Sequence, residues 1–82
     1  MINSKTIQYP FDRTDLKTRA EYSGGNLIYL GYAAPGTATS AAAWQIRKMT
    51  YDAGGNVTAV DFPSGDHDYD YVWDNRAVYA YS

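Results

Sequence analysis

A chain of 82 residues is one domain at most, and it can bury only a modest fraction of its surface. It contains no cysteine, which excludes disulfide staples and thiolate metal sites. The net charge of −2 is unevenly divided: residues 1–48 carry six Lys/Arg against three Asp/Glu, and residues 49–82 carry Arg76 against six Asp. The basic residues are scattered, so the concentrated patch that nucleic acid requires is missing and no nucleic-acid partner is expected.

Residues 1–16, MINSKTIQYPFDRTDL, read as an N-terminal arm, followed by a single antiparallel β domain over 17–82. Pro10 biases Tyr9 toward an extended backbone. The alternation of Ile7, Tyr9 and Phe11 fits a short edge strand or a segment docked on a partner. The first residues lack the apolar core of an export signal, and no run approaches the length of a membrane span. Synthesis in the cytoplasm and no membrane partner are therefore expected.

The first strand is placed at 17–23 and the second at 27–33, with Gly24, Gly25 and Asn26 reversing the chain between them. In the second strand Leu27, Tyr29 and Gly31 share one face, and Ile28, Leu30 and Tyr32 the other. Both faces are apolar, which predicts a central strand or a subunit contact. Residues 34–43 form a connection opened by the turn pair Pro35-Gly36. The third strand covers 43–51. Its apolar phase runs through Trp44 and Ile46, then shifts to Met49 and Tyr51. A β-bulge at Arg47-Lys48 would produce that shift, and so would burial of opposite faces at the two ends.

A second glycine pair, Gly54-Gly55, turns the chain into a fourth strand at 56–62. Neither glycine pair has the lysine and Ser/Thr of a nucleotide-binding loop, so both are read as hairpin turns. Pro63 ends the fourth strand, a long acidic loop covers 63–75, and a last strand is placed at 76–82. The fold class is thus all-β: a small antiparallel meander, curled as a barrel or a small sandwich.

The acidic loop carries most of the residues with chemical potential. Asp66, Asp68 and Asp70 have the spacing of the first calcium-loop ligands, but Tyr71 stands where the invariant glycine belongs and Ala77 where the bidentate glutamate belongs. His67, the only histidine, has no second histidine or cysteine as a fellow ligand. No metal, cofactor or catalytic residue is assigned. Tyr69, Tyr71 and Trp73 alternate with aspartates, as the aromatic residues of a ligand platform do. The competing assignment inserts Trp73 under the sheet as part of the core. Tyr9, Phe11, Tyr69, Tyr71 and Trp73 together are the candidate interface or ligand patch.

The segment Tyr29 to Val60, YLGYAAPGTATSAAAWQIRKMTYDAGGNVTAV, followed by VWDNRAVYAYS, Val72 to Ser82, resembles small proteins encoded by tailed bacteriophages and prophages. Gly36 to Ser40, Trp44 to Lys48, Tyr51-Asp52 and Trp73 to Ala77 carry the resemblance, which covers roughly residues 20–82. It implies a non-enzymatic virion component, in the tail, the connector or on the capsid. The partner it implies is a further copy of the chain or a larger virion protein. The alternative is a small β module that recognises a host-surface glycan or a host protein.

Overall fold

The computed structural model describes residues 15–82. Four strands follow in chain order: β1 (Lys17–Ser23), β2 (Asn26–Ala33), β3 (Ala42–Tyr51) and β4 (Val57–Asp61). A two-residue strand β5 (Tyr71–Val72) and a 3-10 helix (Trp73–Asn75) come after them. Every sheet pairing is antiparallel, in the order β1-β2-β3-β4, with β5 joined to β3.

The glycine pairs do make the turns. Gly24 and Gly25 both take positive φ, 60° and 86°, between the paired residues Ser23 and Asn26. That is the backbone of the two-residue hairpin whose twist matches its strands. At the second turn Gly55 has φ 85° and its N–H donates to the Asp52 carbonyl. The Asp52 carboxylate accepts from the Gly54 and Asn56 N–H groups at 2.9 and 3.0 Å. These bonds, those from the Asn56 backbone and side chain above all, favour the charged form and hold the Asp52 pKa below its usual value. The Pro35-Gly36 turn also forms, closed by Thr37 N–H to the Ala34 carbonyl at 3.1 Å.

Register assigns each side chain to a face. Gly31 lies opposite Ile46, and Leu30 opposite Arg47. One face gathers Ala33, Trp44, Ile46 and Trp73, with Tyr29, Tyr71, Tyr79 and Tyr81 packed around them. The other gathers Leu30, Tyr32 and Met49, with Leu16, Leu27 and Tyr51. β3 therefore buries one face through Trp44 and Ile46 and the opposite face through Met49. Its pairing with β2 runs unbroken through Arg47 and Lys48, so the bulge expected there is absent. The bulges lie elsewhere: Ile28 is the extra residue between β1 and β2, and Thr58 the extra residue between β3 and β4.

Two expectations are corrected. The sheet is open. It is neither closed into a barrel nor faced by a second sheet, because β1 and β4 each pair on one side and not with each other among the described residues. The layer that a sandwich would build from strands is built here from aromatic side chains of the C-terminal segment. The predicted last strand is the second correction. Residues 76–82 form turns, with one isolated bridge between Pro63 and Tyr81. The reason is competition for backbone groups. Tyr79 Oη accepts from the Val72 N–H at 2.8 Å, and Tyr81 Oη donates to the Arg76 carbonyl at 2.7 Å. Phenols thus satisfy groups that a strand ladder would otherwise have to pair.

Candidate functional site

The acidic loop begins at Pro63, two residues beyond the end of β4 at Asp61. Ser64 and Gly65 both take positive φ, and the Asp66 N–H closes the turn on the Pro63 carbonyl at 2.8 Å. The turn brings Asp66, Asp68 and Asp70 together, with one oxygen of each within 4.8 Å of the others. Asp66 is committed locally: it accepts from the Asp68 N–H at 2.8 Å and from the Tyr71 hydroxyl at 3.0 Å. Those bonds, the backbone one first, hold its pKa down. The Asp70 pKa is raised, first by desolvation and then by the charges of Asp66 and Asp68. The cluster therefore combines one carboxylate tied into a turn with another strained by its neighbours.

His67 has an exposed side chain edge-on to Phe62, with ring centroids 6.5 Å apart. Its carbonyl accepts from Gln45 Nε2 at 2.8 Å. The same glutamine holds Arg47, whose Nε and Nη2 donate to Gln45 Oε1 at 3.2 and 3.0 Å. The Arg47 guanidinium lies over both the Tyr32 and Phe62 rings, at 5.2 and 5.7 Å. This chain of contacts fastens the start of the acidic loop to β3, and the spacing of charges in the sequence did not indicate it.

The aromatic patch does not present itself as one surface. Tyr69 is exposed. Tyr71 is half-buried, with its hydroxyl on Asp66 and its ring edge-on to Tyr79 at 5.1 Å. Trp73 lies in the core, 5.9 Å from Trp44 and capped by the Arg76 guanidinium at 4.6 Å. Tyr9 and Phe11 lie outside the described residues. The described residues enclose no pocket.

What they expose instead is strand edge. β4 carries Val57 and Val60 at 51% and 46% exposure on the sheet margin. The bulge at Thr58 sets Val57 opposite Tyr51 and Val60 opposite Met49, which puts both valines on the same face. Simple alternation would have put them on opposite faces, so only the register reveals the pair. The other margin, β1, carries Lys17, Arg19 and Glu21. Among the described residues no helix is long and apolar enough to cross a membrane. No family model matches the chain, and neither does any curated protein or solved structure.

Proposed function

We propose that the protein is a non-enzymatic structural subunit that assembles by extending its β-sheet into a neighbour, either a second copy or a larger virion protein. The observation that carries this reading is the margin at β4, which no strand covers among the described residues and which carries two half-exposed valines side by side. A strand edge offers a row of backbone donors and acceptors, and apolar side chains along it add burial when a partner strand arrives. The bacteriophage setting rests on the resemblance of residues 20–82 described above. Among the described residues of the aromatic patch Tyr69 is exposed, Tyr71 half-buried and Trp73 in the core, which favours assembly over a host-surface ligand.

Two measurements test it. Sedimentation over a range of concentrations is expected to show association. Mass spectrometry of purified phage particles is expected to find the polypeptide at a fixed stoichiometry. A chain that stays monomeric and is missing from particles would overturn the proposal.

A further inference from the structure

The two margins of the sheet differ in kind. β1 places Lys17, Arg19 and Glu21 along its edge, and charged residues of this sort discourage edge-to-edge pairing. β4, Val-Thr-Ala-Val-Asp, has no charge before Asp61 and no proline. Just beyond it, residues 62–64 are paired with 80–82: Phe62 and Ser82 exchange backbone hydrogen bonds at 3.1 and 2.9 Å, and the Ser64 N–H donates to Ala80. Among the described residues the open stretch of that margin is therefore Val57–Asp61.

We infer that β4 pairs antiparallel with β4 of a second copy, about a two-fold axis between Thr58 and Ala59, so that two four-stranded meanders join into one continuous sheet. This inference rests on the assembly reading above and names its partner. Three features make β4 its own complement. The two-fold sets Val57 opposite Val60 of the second copy and Val60 opposite Val57, and the Thr58 bulge has already brought both valines to one face. Four valines then meet on the Met49 side of the sheet, as cross-strand apolar neighbours do. The bulge itself, which would twist a lone edge away from a regular strand, meets an identical bulge, so the two strands have equal residue counts between their valines. The next pair outward sets Asp61 opposite Asn56 of the copy, a carboxylate facing an amide rather than a second carboxylate. An isologous contact of this kind closes on itself as a dimer and leaves the charged β1 margins outermost.

The test uses the full chain, which has no native cysteine. Chains carrying Val57→Cys are mixed with chains carrying Val60→Cys under mild oxidation. The expected product is the mixed disulfide, in large excess over either homodisulfide, since the two-fold brings position 57 to position 60 and separates like positions. In parallel, the double variant Val57→Lys/Val60→Lys is expected to halve the sedimenting mass. Both side chains are half-exposed, so the variant keeps its fold, and an unchanged circular dichroism spectrum checks this. Association that survives the lysine pair, or cross-linking with no preference for the mixed product, overturns the β4 contact and leaves assembly through another surface standing. A native chain that is monomeric at every concentration overturns the self-pairing altogether, while its recovery in particles would still support the broader reading.

Discussion

At the scale of single residues, the core turns on Gly31 and the two tryptophans. A Cβ built on Gly31 would stand 2.6 Å from Trp73 Cε3 and 3.2 Å from Trp44 Cε3. Both rings belong to the buried cluster and cannot give way cheaply. Gly31→Ala is therefore expected to cost about 1–3 kcal/mol by overpacking, read from urea unfolding. Trp44 is fully buried, and its Nε1 donates to the Ala38 carbonyl at 3.0 Å. Trp44→Ala should cost about 3–5 kcal/mol in the same measurement, chiefly through the cavity it leaves, since the Ala38 carbonyl keeps its bond from the Ala41 N–H at 3.1 Å. Alternation placed Gly31 on one face of the second strand, but the rings that close over it were not legible in the sequence. Trp73 arrives from 42 residues further along the chain, and nothing local directs it there. Asp70 behaves in the opposite sense to Asp66. Its folded pKa is raised, so its contribution is favourable while protonated and is lost as pH rises through the carboxylate range. Asp70→Asn should then raise the melting temperature at neutral pH, and the gain should vanish in acid. An equal gain at both pH values would show that charge is not the cause.

At the scale of elements, the strands and turns were readable where the determinant is local. Gly24-Gly25 and Gly54-Gly55 reverse the chain because their backbones admit positive φ, a property of the residues themselves. The first three strands end within a residue of where alternation placed them. The fourth, placed at 56–62, is one residue shorter at each end. The segment 76–82 alternates as a strand should, yet it folds as turns and covers the sheet with Tyr79 and Tyr81. Alternation records which side chains are apolar but not whether a neighbouring strand has free backbone groups to offer. The packing of this segment predicts its alkaline behaviour. The Tyr81 pKa is pushed up, first by desolvation and then by Tyr29 and Tyr79. A raised folded pKa means stability that is present below the ordinary phenol value of about 10 and lost above it. Phenolate absorbance from Tyr81 should thus appear together with loss of the native circular dichroism signal. Tyr81→Phe should shift that transition to higher pH.

At the scale of the whole molecule, an open sheet with unlike margins is the property that bears on function. Closing it would require β1 to pair with β4, and β1 presents charge where the margin would have to seal. Charge on one margin and valine on the other directs association to β4, and the mass and cross-linking experiments measure that choice. By itself the sequence determined the antiparallel meander, the approximate positions of its first four strands and the two glycine turns. These follow from dihedral freedom and side-chain periodicity, which act over a few neighbouring residues. The tertiary structure alone decided that the sheet stays open, that Trp73 belongs to the core, and that Val57 and Val60 stand together at an edge. Each of these depends on pairing between distant segments, where one bulged residue or one phenol taking a backbone partner changes which face a side chain meets.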